Sequence, residues 1–164
     1  MLVKLIQPVL EFDLLRKEVL DTIERVGNNQ NQIMCQTHTD GIEDWQNGVG
    51  KLSGLEHSKE EDYKFIQPSL KSSYIAAFIK QFRGFRTRIM IMPTHHCYSI
   101  HYDLTPRIHI PIMTNSQSWM IWPFENSCNR LETGNIYWTD TTKHHTFING
   151  SEAARIHLVI CVNS

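Results

Sequence analysis

His101-Tyr102-Asp103 is followed in this 164-residue chain by His145 and, ten residues later, by Arg155. Two imidazoles and one carboxylate are the donor set that holds non-haem Fe(II) with coordination positions left open. His101 and Asp103 lie two apart, so on an extended segment both project to the same side. A neighbouring strand must bring the third donor. His144 and His145 both offer an imidazole; their opposite parity assigns His145 to the metal and His144 to packing or support. Arg155 presents a planar, permanently charged fork that matches a carboxylate through two hydrogen bonds. 2-Oxoglutarate, chelating iron through its 1-carboxylate and keto oxygen, would leave its 5-carboxylate for that fork. Taken singly these residues are ordinary: His-x-Asp occurs as a surface histidine beside a turn, and a lone arginine is usually an ion-pair partner. Only in combination do they specify a metal and co-substrate site.

The elements that must position these groups change character along the chain. Glu11 to Val26 places Leu14, Leu15, Val19, Leu20, Ile23 and Val26 on one stripe, a helix stopped by Gly27-Asn28-Asn29. A short strand is expected over 32–36. Residues 37–54 hold four glycines and read as a loop lying over the mouth of a site. A second helical stretch spans about 60–82, broken near Pro68. From Arg86 onward come short β-rich runs, 86–93, 97–102, 107–113, 118–123, 134–138, 144–149 and 154–162, separated by turn residues. In Arg107-Ile108-His109-Ile110-Pro111-Ile112 and in Arg155-Ile156-His157-Leu158-Val159-Ile160 the even positions are aliphatic, while the odd ones carry cations and imidazoles. An outer face prefers Lys, Glu and Thr, so the polar face is expected to line a cavity and the aliphatic face to meet the helices. This pattern predicts a mainly β fold with flanking helices, a double-stranded β-helix of the jelly-roll or cupin-like class. We expect one domain over 1–164, with 1–83 as mostly helical support and loop and 84–164 as the catalytic double-stranded β-helix. Asn149-Gly150 predicts a hairpin of 144–149 with 154–162, setting Arg155 beside His145 on one face.

Bulk properties narrow the classes. Apolar residues make up 41% of the chain, charged residues 20%, and net charge is −1. No basic block suited to tracking polyphosphate is visible, which disfavours nucleic-acid binding. The opening residues do not read as a secretory signal and no stretch suits a membrane span, so a cytoplasmic location is expected. Cys35, Cys97, Cys128 and Cys161 form no CxxC pair and read as reduced thiols, mostly packed.

The segments Arg86-Thr87-Arg88-Ile89-Met90, His101-Tyr102-Asp103, Arg107-Ile108-His109-Ile110-Pro111-Ile112, Gly134-Asn135-Ile136-Tyr137-Trp138 and His145-Thr146-Phe147-Ile148-Asn149, with Arg155, resemble the aspartyl/asparaginyl β-hydroxylase-like group of Fe(II)/2-oxoglutarate dioxygenases. The resemblance covers roughly residues 84–162. It implies that His101 and His145 are iron ligands, that Arg155 binds the 5-carboxylate, and that Arg107 with His109 lines the co-substrate pocket. It also puts His157 at a second polar contact. The group's namesake has glycine where this chain has Asp103, so this chain is closer to the ordinary triad of His101, Asp103 and His145.

The expected activity is therefore hydroxylation of a C–H bond with decarboxylation of 2-oxoglutarate to succinate, using Fe(II) and O2. The substrate would be an amino acid, a peptide or protein side chain, or another small molecule. Two other classes compete. A cupin-like small-molecule binding module would have no need of the full donor set plus Arg155, and an isomerase or thiol dioxygenase would lack the Arg107/Arg155 pair. Asp140 or Asn149 would orient a ligand or serve as turn residues. His95-His96-Cys97 looks like a ligand cluster, but adjacent residues face opposite ways on a strand. Trp119, Trp122 and Trp138 read as core or cavity wall, Arg86 and Arg88 as substrate-binding or solvated, and Tyr102 as a substrate contact or an outward-packed ring.

Overall fold

Alternation with a period of two puts aliphatic and polar groups on opposite faces, and that division organises the molecule. The computed structural model describes residues 1–27 and 29–164; Asn28, placed by sequence in the stop after the first helix, lies outside them. The strands are β1 (Val3–Pro8), β2 (Gln32–Met34), β3 (Gln36–Thr37), β4 (Phe65–Ile66), β5 (Phe85–Met92), β6 (His96–Cys97), β7 (Arg107–Met113), β8 (Ser118–Trp122), β9 (Ser127–Asn129), β10 (Asn135–Thr139), β11 (Thr146–Asn149) and β12 (Arg155–Cys161). Two helices, α1 (Phe12–Val26) and α2 (Tyr74–Phe82), complete the set.

Six strands form a major antiparallel sheet in the order β1-β10-β7-β12-β5-β2, and four form a minor sheet in the order β6-β11-β8-β9. Apart from the β8–β9 hairpin, the chain from β5 onward passes between the two sheets at every connection, with β5, β7, β10 and β12 in one and β6, β8, β9 and β11 in the other. That winding is the double-stranded β-helix, the cupin-like jelly roll.

The even-numbered side chains of β7 and β12 (Ile108, Ile110, Ile112, Ile156, Leu158, Ile160) pack in one core with Leu15, Val19 and Ile23 of α1 and Ile75, Phe78 and Ile79 of α2. Burying each such side chain is worth about 1.5–3 kcal/mol, so both helices are clamped to the outer face of the major sheet. Leu14, read as part of the buried stripe, is 46% exposed, since the helix turns it past the contact edge. Gly27 ends α1, donating its N–H to Ile23 O at 2.9 Å. The Glu18 carboxylate of α1 accepts the Tyr74 and Ile75 amides at 3.0 and 2.8 Å, satisfying the open N-terminus of α2.

Several expectations change. The stretch 60–82 is helical only at its end. Before α2 it holds the 3₁₀ turns Glu60–Asp62 and Pro68–Leu70 and the strand β4. Strands β1 and β9 carried no usable pattern; β1 is an edge strand, solvent-facing along most of its length. Most importantly, β11 and β12 are not a hairpin: β11 pairs with β6 and β8, and β12 with β5 and β7. The buried Asn149 amide donates to Pro93 O at 2.9 Å and Ala153 O at 2.8 Å, and its oxygen accepts from Ser151 N at 3.3 Å. These bonds close a wider turn that carries the chain from one sheet to the other. Cys35 and Cys161 are buried, but Cys97 and Cys128 are exposed, so only half of the free thiols are packed. Among the described residues no helix is long and apolar enough to cross a membrane.

Candidate metal centre and cavity

His101 and His145 meet as an isolated antiparallel bridge. The His101 N–H donates to His145 O at 3.0 Å and the His145 N–H to His101 O at 2.7 Å. Residues bonded in this reciprocal way project their side chains to the same face, and the two ring centroids stand 4.5 Å apart. Asp103 follows two residues after His101, tethered by its N–H to Thr141 O at 2.8 Å. One donor atom from each of His101, Asp103 and His145 lies within 4.8 Å of the others, and no other such group occurs among the described residues.

Ring orientation suits a metal. His101 Nδ1 lies 2.7 Å from Ser99 O and His145 Nδ1 2.9 Å from Lys143 O. A carbonyl only accepts, so each Nδ1 carries the proton and each Nε2 keeps its lone pair for a cation. Burial lowers the His145 pKa, against the opposing pull of Lys143 O and Asp103, which favours the neutral ligand form. Asp103 Oδ2 stands 3.8 Å from His145 Nε2, and Oδ1 is held by Arg107 Nη2 at 3.1 Å. Neither Asp140 nor Asn149 bonds these rings: Asp140 accepts from Thr142 and Trp122, and Asn149 builds the turn.

Arg107 belongs to a network that sequence reasoning missed. Glu60 is buried and accepts from Arg107 Nη2 at 2.7 Å, Arg86 Nη1 at 2.8 Å and Thr105 Oγ1 at 2.8 Å. Burial alone would raise the Glu60 carboxyl; Arg107, Thr105 and Arg86 outweigh it and hold it below the usual range. Arg107 lines the cavity, but its guanidinium is engaged by Glu60 and Asp103, so it orients the Asp103 carboxylate. Arg86 also donates to Gly48 O and Gly50 O, tying the glycine loop to the site. Gly48 adopts φ +83° with the Tyr63 ring where a Cβ would stand, so no other residue fits there without displacement. The only sequence signal for Glu60 was a carboxylate in a weakly periodic stretch, indistinguishable from its neighbours Glu61 and Asp62.

These groups line a cavity of about 1140 Å³ between the sheets, walled on one side by Gly50–Gly54 of the glycine-rich loop. Arg155 is 1% exposed and has no carboxylate partner among the described residues; its Nε is buried without a hydrogen bond. Its guanidinium carbon lies 4.1 Å from the Phe147 ring centroid. Phe147 is two residues from His145, so Arg155 faces the metal site across the gap between the sheets. Burial lowers its pKa to about 10, so it stays cationic at neutral pH. A buried guanidinium with no carboxylate partner would fit the far carboxylate of a dicarboxylate held at the His101, Asp103 and His145 cluster.

His109 lines the cavity, whereas His157 is fully buried behind it. Arg155 Nη1 lies 3.2 Å from His157 Nδ1, and His109 Nδ1 is 3.3 Å from the same atom. Arginine only donates, so His157 Nδ1 is an acceptor, and His157 positions Arg155 from behind. Burial, reinforced by Arg155, holds both imidazoles well below their usual pKa. Tyr102 is 58% exposed at the cavity mouth, and its ring meets His144 edge-on at 5.2 Å. His95 pairs with Glu152 at 2.8 Å, leaving the His95-His96-Cys97 run as surface. Trp122 is fully buried and Trp138 packs on the main core, while Trp119 lies under Arg130.

The fold is shared with solved oxygenases. A viral collagen prolyl hydroxylase from Paramecium bursaria Chlorella virus-1, in its 2OG complex, matches with a TM-score of 0.55 at 10% identity, over 99% of this chain and 97% of that one. A Pseudomonas putida prolyl-4-hydroxylase matches with a TM-score of 0.55 at 11% identity, over 99% and 92%. Neither a protein-family model nor a curated protein matches the chain. At these identities the likeness establishes the fold.

Proposed function

We propose that this protein is an Fe(II)/2-oxoglutarate-dependent dioxygenase that hydroxylates an unactivated C–H bond of an amino acid, a peptide or protein side chain, or another small molecule, acting in the cytoplasm. The observation that carries this reading is the placement of His101, Asp103 and His145, with both Nε2 atoms free, in the same cavity as Arg155, which has no carboxylate partner among the described residues. The sequence motifs shared with the aspartyl/asparaginyl β-hydroxylase-like group support the same chemistry. The fold shared with a hydroxylase solved in a 2OG complex supports the co-substrate.

In this reading His101, Asp103 and His145 would hold the metal. Arg107 keeps the Asp103 carboxylate turned toward it. Arg155 clamps the 5-carboxylate of 2-oxoglutarate, steadied by His157 and the Phe147 ring, while neutral His109 offers a polar wall without competing charge. Loaded with Fe(II), 2-oxoglutarate and O2, the centre supplies the oxidation that yields succinate, CO2 and the hydroxylated product. Phe147, Met90 and Val159 add an apolar lining to the cavity.

Anaerobic addition of Fe(II) and then 2-oxoglutarate tests this directly. A visible charge-transfer band is expected, followed by succinate when O2 is admitted. Asp103→Ala combined with His145→Ala should lose both. Absence of band and succinate in the wild type, or their persistence in the double variant, overturns the reading.

A further inference from the structure

Arg88 is a second cation in the cavity without an ion-pair partner among the described residues. It sits on β5, is 8% exposed, and lines the cavity. Its Nε is buried without a partner, and among the described residues its side chain hydrogen-bonds only through Nη1 to Gln32 Oε1 at 3.3 Å, a neutral amide. Among the described residues it forms no ion pair, whereas its neighbours Arg86 and Arg107 both bind Glu60. Burial first, then the like charges of Arg86 and Arg107, disfavour its cationic form and outweigh the opposing pull of Cys161 and Asp103. An uncompensated buried guanidinium costs stability, so its retention in a cavity wall points to a ligand that completes it.

That ligand is not the far end of the co-substrate. Arg155 stands opposite Met92 and Arg88 opposite Val159 in the same β5–β12 ladder. Four residues along a strand separate these positions by about 13 Å. Arg155 occupies the Phe147 end, and Arg88 the end walled by Gln32 and the glycine loop. Five cationic side chains and two carboxylates line the cavity, an excess of three positive charges. A divalent metal with doubly charged 2-oxoglutarate leaves that excess unchanged. The cavity, about 1140 Å³, also has room for a second small molecule.

We propose that Arg88, with the Gln32 amide beside it, seats a carboxylate of the molecule to be oxidised, so that the primary substrate is a small organic acid. One guanidinium fork matches a planar two-oxygen anion, whereas a phosphoryl group would call for more donors. This assignment rests on the oxygenase reading, with Arg155 taken by the co-substrate.

The full chain loaded with Zn(II), a redox-inert stand-in, and saturating 2-oxoglutarate provides the test, with trifluoroacetate as the carboxylate probe followed by fluorine NMR. Wild type should bind the probe, and Arg88→Met should weaken binding by about tenfold or more, while calorimetric 2-oxoglutarate affinity stays within about twofold. Arg155→Met should do the reverse. Arg88→Lys keeps the charge but not the fork and should recover only part of the probe binding. Arg88→Met should melt at or above the wild-type temperature, because it removes an unpaired buried charge, so lost binding would not reflect lost folding. Equal probe binding in wild type and Arg88→Met, or none in wild type, overturns the proposal, as does loss of 2-oxoglutarate in Arg88→Met. Acetate should displace the probe at lower concentration than inorganic phosphate or the blocked tripeptide acetyl-Gly-Asp-Gly-amide; either of those displacing it first overturns the small-acid assignment. Failure of wild type to bind 2-oxoglutarate, with probe binding still dependent on Arg88, would remove the oxygenase reading and leave the anion seat standing.

Discussion

Arg155 and the imidazoles around it make distinct demands on the solvent and the ligand. Replacing Arg155 with Met removes a charge-assisted fork of two hydrogen bonds, each worth about 1.5–3 kcal/mol, so 2-oxoglutarate should bind at least about 100-fold more weakly by calorimetry. Zn(II) affinity should hardly change, since Arg155 touches no metal donor; loss of metal instead would make it a structural residue. His109 and His157 give a second prediction. Both have folded pKa values held well below the ordinary 6.5 by burial first and Arg155 next. Above pH 6.5 neither state binds a proton there, so stability is highest. As pH falls through that value the unfolded chain takes up protons that the folded one refuses, and stability drops. Thermal melts of the metal-free protein should show a falling Tm from pH 7.5 toward 5.5, with a shallower slope in His157→Gln.

At the scale of elements, the 3₁₀ turn at Glu60–Asp62 does more than connect. Its first residue forms ion pairs with both Arg86 from β5 and Arg107 from β7, and through Arg107 sets the carboxylate of Asp103. Glu60→Gln leaves two buried guanidinia sharing one neutral amide. The expected cost is about 3–5 kcal/mol, read from urea unfolding, because the loss strands buried charge. Metal affinity should fall in the same variant as Asp103 loses its oriented partner. Arg86→Met, which touches the glycine loop but not Asp103, should lose stability with metal affinity preserved.

At the scale of the whole molecule, the two main sheets enclose the polar cavity and share an apolar cluster of Met92, Met120, Trp122, Tyr137 and Phe147, while the larger aliphatic core lies on the outer face of the major sheet. A cavity of this kind contributes little cohesion by itself, and a metal that ties the His101–His145 bridge to Asp103 adds a cross-link at its mouth. Fe(II) under argon at a hundredfold excess over its dissociation constant should stabilise the fold by about 2.7 kcal/mol. In a chain of this size that corresponds to a rise in Tm of roughly 5–10 °C, reversed by chelator. Asp103→Ala with His145→Ala should show no such shift in scanning calorimetry.

What was legible in the sequence was local. The period-two alternation of residues 107–112 and 155–160 identified the strands and which face of each met the helices, because side-chain direction on a strand depends only on parity. The same parity put His101 with Asp103 and separated His144 from His145. Long-range pairing was decided by the tertiary structure alone. The Asn149-Gly150 turn has the composition of a hairpin, yet Asn149 bonds carbonyls on both sides of a sheet crossing. Arg155 therefore faces His145 from the opposite sheet, where the hairpin would have put it on the adjacent strand. Glu60 gained its role only when closure of the jelly roll brought it against Arg107, 47 residues away. Arg86 and Arg88 read alike in the sequence, but Glu60 neutralises one and leaves the other unpaired. Residue type and spacing specify which groups can act and which face they share; which charges meet, and which are left for a ligand, depends on contacts that exist only after the two sheets close.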